Sequence, residues 1–350
     1  MMHSVNFEQY TVFNCSWQLA MKQAIRDIGS LCKALDLDPA TLDLSSDASS
    51  EFPLFVPRQF MVRMEQGNPH DPLLRQVLPI AAEVQSQPNF LFDPLAESDA
   101  KAAPGLLHKY PGRALLITNG ACAIHCRYCF RRHYPYKSEP KSLEDWAAAL
   151  SYIESDPSIE EVLLSGGDPL TLVDATLSKL AQRLASIPHL RRLRVHTRLP
   201  IVIPQRVDEE LLSWLTGTRL TTSVVVHCNH PNELGEDIDD PVNAAIARLV
   251  DNGVPVLNQA VLLKGINDNE ETLYQLHRKL INARVLPYYL HQLDRVQGAA
   301  HFEVPSSKGL KLIDELRKRL PGYAIPQYVE ERPHELSKLP IAMFERDDCE

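Results

Sequence analysis

The chain has 350 residues with 36 Lys and Arg against 45 Asp and Glu, a formal net charge of −9. That balance argues against a nucleic-acid groove built on bulk positive charge. No apolar run approaches the ~20 residues of a membrane span, and the opening Met1-Met-His-Ser-Val-Asn6 has neither the basic nor the apolar segment of a signal peptide. Seven cysteines, three of them in one loop, do not form a disulfide framework. The expectation is a cytoplasmic enzyme with no membrane and no nucleic-acid partner, long enough for one large α/β domain plus a smaller appendage.

Residues 1–100 read as a mostly helical cap. Apolar residues at helical spacing (Leu19, Ala20, Ile25, Ile28, Leu31, Leu35) predict an amphipathic helix over Trp17–Leu35. The Asp/Ser-rich stretch from Asp43 to Ser50 reads as a linker, and Pro72–Val84 as a further helix. Cys15 and Cys32 are expected to pack as small hydrophobes, and Cys349, in an acidic tail, to be an exposed thiol.

From residue 101 to 350 the pattern is regular. Strand-length apolar runs at Ala114–Thr118, Glu161–Ser165, Leu193–Thr197, Ser223–His227, Val256–Leu263 and Arg284–His291 alternate with helical stretches. The helices are expected at Leu143–Glu154, Leu172–Ile187, Asp208–Leu215, Val242–Asp251, Glu270–Asn282 and Ser306–Leu320. Ser142 and Asp145 form a capping box for the first, Pro321-Gly322 stops the last, and a short strand Tyr323–Glu330 follows. Six β/α units with right-handed crossovers predict a partial parallel (β/α)6-type barrel with an N-terminal helical cap. No G-x-G-x-x-G follows the first strand, which counts against an open dinucleotide-binding sheet. In barrels, chemistry collects on the loops at the C-terminal ends of the strands.

The first such loop is Cys122-Ala-Ile-His-Cys126-Arg-Tyr-Cys129. Thiolates are soft ligands that select iron–sulfur clusters, zinc or Cu(I). A structural zinc site wants a fourth Cys or His at matching spacing, and no second C-x-x-C occurs. A c-type haem needs C-x-x-C-H, but Phe130 follows Cys129. A 4Fe–4S cluster takes one Cys per iron, so three thiols leave one iron open to a ligand that is not protein. Ser165-Gly166-Gly167-Asp168 closes the second strand, where glycines let backbone approach a ligand and a carboxylate can accept from an ammonium group. His227, His230, Asn258 and Gln259 place polar groups at the fourth and fifth strands.

The three-cysteine loop resembles that of the radical S-adenosylmethionine superfamily, in which S-adenosylmethionine chelates the open iron and is cleaved to an adenosyl radical. More narrowly, the order of motifs resembles the lysine 2,3-aminomutases. The matching segments are Asn68-Pro-His-Asp-Pro-Leu-Leu-Arg75, Lys109-Tyr-Pro-Gly-Arg113, the cysteine loop through Arg131-Arg132, Ser165-Gly-Gly-Asp-Pro169, and Thr197–Arg206. They continue through His230–Glu233, Asn258–Asp268, Pro287–Asp294, His301-Phe302 and Pro305–Gly309. The resemblance implies a 4Fe–4S cluster on Cys122, Cys126 and Cys129, with S-adenosylmethionine beside Ser165, Gly166, Gly167, Asp168, His230 and Gln259. Pyridoxal 5'-phosphate would be joined to Lys338, seven residues after Glu331, with Arg113 and Tyr110 at its phosphate. Arg131 would clamp the substrate carboxylate, and Asp294 and Glu331 would hold the distal ammonium of L-lysine. This chain has Glu331 where the family has Asp, and His334-Glu-Leu-Ser337 where the family has glycines.

The resemblance further implies an external electron donor and (R)-β-lysine as the product. The short form looks like the bacterial branch whose product, with a lysyl-transferring ligase, modifies translation elongation factor P. Longer members carry zinc-binding cysteines, and this chain has Asn269 at the internal one of these positions, so zinc-linked assembly is not expected. The alternative reading is the same radical chemistry on another amino acid or on a protein-bound lysine.

Overall fold

The structure, a computed structural model, describes residues 12–342; Cys349 lies outside them. Its centre is one sheet whose ten strands stand in chain order. They are β1 (Lys101–Ala103), β2 (Leu106–Tyr110), β3 (Arg113–Asn119), β4 (Glu161–Gly166), β5 (Arg192–Thr197), β6 (Thr221–His227), β7 (Val256–Val261), β8 (Leu286–His291), β9 (Gln327–Glu330) and β10 (Leu339–Pro340). Strands β3 through β9 run parallel. The antiparallel pairs β1–β2–β3 and β9–β10 form the two edges, so the curl stays open.

The expected crossover helices are present at Ala147–Ser155, Asp174–Ala185, Glu209–Thr216, Pro241–Asp251, Glu270–Asn282 and Ser306–Arg319. Local chemistry explains their starts. Asp208 and Asn269 accept from the backbone N–H three residues on, and Asp240 caps a helix that opens on Pro241. Helix Glu270–Asn282 buries Leu273, Leu276, His277 and Leu280, one stripe at helical spacing. Burying a leucine side chain contributes roughly 1.5–3 kcal/mol. Ser142 and Asp145 make the reciprocal bonds of a capping box, although the regular helix begins only at Ala147.

The cap departs from expectation. Trp17–Leu35 is two helices, Trp17–Lys22 and Ile28–Ala34. Between them Ile25 exchanges two backbone hydrogen bonds with Val56, and Asp27 caps the second helix, so the periodic stripe survives while the helical ladder breaks. The stretch read as a linker holds a short helix, Ser46–Glu51, capped by Ser45. Pro72–Val84 is two 3-10 turns, Leu74–Gln76 and Ala81–Val84, because Pro79 cannot donate and keeps Leu78 from helical geometry. Strand β9 starts at Gln327, as Gly322–Ala324 forms a 3-10 turn first. Strand β7 stops at Val261. Cys32 is buried and Cys15 half-buried. Among the described residues no helix is long and apolar enough to cross a membrane.

Cap and barrel share one apolar core, and a buried ionic knot ties the cap to the cysteine loop. Glu83 accepts from Arg127 at 2.6 Å and from Arg132 at 2.8 Å, all three side chains being almost fully buried. Arg127 also donates to the carbonyls of Ala48 and Phe52. Removing one partner from such a pair strands buried charge at about 3–5 kcal/mol. Glu83→Ala is therefore expected to lower the unfolding free energy of the cofactor-free protein by about that amount, measured as a shift of the urea midpoint. A loss below roughly 1 kcal/mol, the value of an exposed pair, would show the knot to be dispensable.

Candidate active site

A cavity of about 270 Å³ runs along the inner face of the sheet and opens among its loops. Cys122, Cys126 and Cys129 line it, carried on the turn that follows β3. Asn119 shapes that turn by accepting from Ala121 N–H and donating to the Asp168 carbonyl. The two glycines after β4 have a packing role here. A Cβ on Gly167 would lie 2.3 Å from the Ala121 carbonyl, and one on Gly166 would lie 2.7 Å from that of Asn119. Their missing side chains let the β4 loop press against the cysteine turn.

The Asp168 carboxylate is held by three donors. It accepts from Thr197 Oγ1 at 2.7 and 3.0 Å, from Arg198 N–H at 2.7 Å and from Leu170 N–H at 3.0 Å. It joins the loops after β4 and β5, and three donors on about four lone-pair sites leave it little room for a further ligand. His230 is not among the residues lining the cavity. Its ring accepts from Asn232 N–H, and Glu233 bonds back to its backbone, so it caps a 3-10 turn. Gln259 does line the cavity and meets His227 at 3.1 Å.

Burial pushes the Cys129 thiol up to about 11, with the neighbouring Cys126 adding to the shift, and also raises Cys122, where the charges of Cys129 and Asp168 add to it. Three thiolates gathered on one half-buried loop repel one another unless cationic metal offsets them, so this donor set fits a cluster whose iron supplies that charge. Among the described residues no three His, Cys, Asp or Glu side chains are gathered closely enough for one metal ion. The ligands of a four-iron cluster bind different irons and need no such closeness. Arg198 carries a role that the sequence reading missed. It donates to Cys126 Sγ and Tyr128 through Nη1, and to Gln76 and Glu233 through Nη2. Its signal in the sequence was its place directly after a strand, within the Thr197–Arg206 segment that carries the resemblance.

The other end of the cavity is assembled across the open side of the curl. Successive strands are staggered, so Tyr289, three residues into β8 after Leu286, stands opposite Gln327, the first residue of β9. Strand β9 is carried upward in this way, and the loop after it meets the end of β2 and the start of β3. Glu331 there accepts from Lys109 at 3.0 Å, from Tyr110 at 2.7 Å and from Lys338. Strands β9 and β10 pair Glu330 with Leu339, so residues 331 and 338 stand at the two feet of one hairpin loop. Within it His334 takes a left-handed φ of 64°, which glycine adopts more readily.

Burial opposes the Glu331 charge, yet the ammoniums of Lys338 and Lys109 outweigh it and hold the carboxyl below its usual range. Asp294 behaves oppositely. Burial, reinforced by the Glu331 charge, pushes it up to about 7. Arg113, the first residue of β3, stacks over the Tyr110 ring at 4.7 Å and makes no side-chain hydrogen bond among the described residues. Its donors are free for an anion such as a phosphate. The Nε2 atoms of His196 and His291 are buried without a partner, and burial keeps both rings neutral. These orphaned atoms, with a lysine amine and an uncommitted guanidinium beside them, fit a polar, phosphate-bearing aldehyde cofactor. His196 and His291 were not singled out from sequence, because a lone histidine in a strand is usually a satisfied core residue.

Residues 116–277 match the Radical SAM superfamily. Over 323 residues the chain is 45% identical to the L-lysine 2,3-aminomutase of Haemophilus influenzae, covering 92% of this chain and 94% of that protein. It is 44% identical over 326 residues to that of Escherichia coli, covering 93% and 94%. The chain belongs to the L-lysine 2,3-aminomutase family. The enzyme of the same name from Clostridium subterminale is more distant, 34% identical over 326 residues that cover 93% of this chain and 77% of that protein.

For this aminomutase the structure brings the three cysteines, Ser165, Gly166, Gly167, Asp168, Gln259, Arg131, Arg113, Tyr110, Asp294, Glu331 and Lys338 to one cavity and leaves His230 outside its lining. Cys126→Ala is expected to lose most of the iron–sulfur absorbance obtained by anaerobic reconstitution, whereas Cys32→Ala, buried in the cap, retains it. Full absorbance in the Cys126 variant would remove that thiol from the ligand set.

Proposed function

We propose that the protein is a pyridoxal-phosphate-dependent radical enzyme that converts free (S)-α-lysine to (R)-β-lysine. The observation that carries the proposal is the two-ended cavity, with a guanidinium at Arg131 near the cysteines and the acids Asp294 and Glu331 beside Lys338. A 4Fe–4S cluster with S-adenosylmethionine supplies a hydrogen-abstracting radical, and pyridoxal phosphate supplies a π system that carries the migrating nitrogen. In this reading Cys122, Cys126 and Cys129 would hold the cluster, with Ser165, Gln259 and the glycine turn nearby. Lys338, Arg113 and Tyr110 would hold the pyridoxal phosphate. Arg131 receives the substrate carboxylate, for which a planar fork of donors is suited. The buried cavity walls exclude water from reactive species.

The two acids have unequal duties in this proposal. Glu331 has Lys109 and Tyr110 as standing partners, while the Asp294 side chain makes no hydrogen bond among the described residues. Asp294 is therefore the acid that takes the distal ammonium. By resemblance to the short bacterial branch, we place the enzyme in the cytoplasm with an external electron donor. Its product would be passed to the ligase that modifies elongation factor P.

Reconstitution under anaerobic conditions with iron, sulfide, S-adenosylmethionine, pyridoxal phosphate and a chemical reductant, followed by free L-lysine and chiral product analysis, tests the proposal. The expected product is (R)-β-lysine. Turnover confined to another amino acid, or to lysine within a protein, would overturn it.

A pH dependence follows from Asp294, whose carboxyl titrates at about 7. Below that pH it is neutral and cannot pair with an ammonium; above it the charge is present, while the lysine ammonium stays protonated to about 10. Affinity for L-lysine should therefore rise about tenfold per unit as pH climbs toward 7, one proton being released per pairing. It should level off above 7. Asp294→Asn should flatten this profile in calorimetric titrations of the reconstituted enzyme held without reductant. A profile unchanged by the substitution would assign the titration elsewhere.

A further inference from the structure

Arg131 does not face the cavity as a free guanidinium. Its Nε and Nη2 donate to the two oxygens of Glu97 at 2.7 and 2.6 Å, a side-on bidentate pair. Nη1 donates to Ser165 Oγ at 3.1 Å, and the guanidinium carbon lies 4.8 Å from the centre of the Phe130 ring. Both partners are buried, Arg131 at 7% and Glu97 at 8% exposure, and both line the cavity. Glu97 is itself fixed. It sits on the cap loop before β1, where Asp93 accepts from the N–H groups of Glu97 and Ser98 and from the Ser98 hydroxyl.

A guanidinium has five N–H groups in a planar fork. Glu97 takes one from Nε and one from Nη2, and Ser165 takes one from Nη1. One N–H on each terminal nitrogen remains; with the Ser165 bond on the Nη1 hydrogen that faces away from Nη2, these two form the end edge, which matches the two oxygens of a carboxylate. An incoming carboxylate that displaced Glu97 would strand a buried charge, so the vacant edge is the less costly seat. Glu97 also offsets the Arg131 charge, which weakens attraction to a carboxylate while holding the plane of the fork.

We propose that Glu97 is a positioning and specificity residue: it occupies the side edge of Arg131, leaves the end edge as the seat of the substrate carboxylate, and exchanges binding strength for orientation. This rests on the reading of Arg131 as the carboxylate site. The same carboxylate is also felt at the distal end of the cavity, where its charge is among those that raise Asp294.

The test uses the reconstituted enzyme at a single pH of 8 for every variant, above the value of about 7 to which Asp294 is pushed. Without reductant, calorimetry gives Kd for L-lysine and for 1,5-diaminopentane, which is lysine without its carboxylate. With reductant, kcat and KM are measured. Glu97→Gln removes the charge and can accept only one of the two Arg131 bonds. It is expected to bind lysine about tenfold more tightly, as loss of roughly 1.4 kcal/mol of repulsion implies, and to turn over at least tenfold more slowly. Its Kd for the diamine should change less than threefold. Glu97→Asp keeps the charge with shorter reach, so kcat should fall while Kd for lysine stays within threefold of wild type; this variant decides the matter if Glu97→Gln does not fold. Wild-type kcat and Kd in both variants, or a diamine Kd that moves in step with that of lysine, would overturn the proposal. Arg131→Met separates the two levels. If it leaves the preference for lysine over the diamine intact, the reading of Arg131 itself has failed, whereas if it abolishes the preference while the Glu97 variants are silent, only the role of Glu97 has.

Discussion

A buried charge is tolerable only where an opposite charge or a full set of hydrogen bonds meets it, and that constraint organises the interior of this protein. Glu83 joins Arg127 and Arg132 beneath the cysteine loop, and Glu97 faces Arg131. Glu233 and Gln76 share Arg198 with Cys126. At the far end Glu331 gathers Lys109, Tyr110 and Lys338. Groups left without a counter-charge are shifted toward neutrality instead: Asp294 upward, and His196, His227 and His291 downward, burial leading in each case. The cavity thus presents few uncommitted charges: Arg131 is paired with Glu97, and Asp294 is pushed toward neutrality.

Chain order in the sheet turns this electrostatic pattern into a site. Parallel strands that follow one another send their loops to the same rim, so the cysteine turn after β3, the Asp168 turn after β4 and Arg198 after β5 become neighbours. The stagger between strands does the rest. It brings the loop after β9 to the hairpin between β2 and β3, so that Glu331 meets Lys109 and Tyr110 across the side that no strand closes. Strand β10 then folds back on β9 and fixes Lys338 opposite Glu331. The opening of the curl is where the distal half of the site is built.

The barrel was legible because its signals are local. Helix Glu270–Asn282 has an Asn cap, acidic residues in its first turn and one apolar stripe, and each of these points to the same helix. The cap was less legible because its elements are decided by tertiary partners: Ile25 leaves a helical pattern to pair with Val56, and neither residue announces the other. In the site, residue types and motif order picked out the cysteines, Arg131, Asp294, Glu331 and Lys338. They did not reveal partners brought in from distant segments, as Glu97 is to Arg131 or Glu233 to Arg198. Asp168 and His230 show the converse. Each looks like a ligand-facing group in sequence, and each also has a structural duty, accepting from donors of its own turn or the neighbouring loop.

The departure at Glu331 has a physical consequence of its own. A carboxylate on a longer stem reaches further from the foot of the hairpin, and here one of its oxygens accepts from both Lys109 and Tyr110 while the other meets Lys338. In the proposed loaded state the Lys338 amine is committed to the cofactor, and Glu331 keeps Lys109 as its counter-ion. Two acids and one ammonium then leave a single negative charge, which a single substrate ammonium balances. In the proposed reading, the commitment of Glu331 to Lys109 and Tyr110 leaves the distal ammonium to Asp294. The longer acid, held charged by Lys109 and Lys338, adds its charge to the burial that raises Asp294.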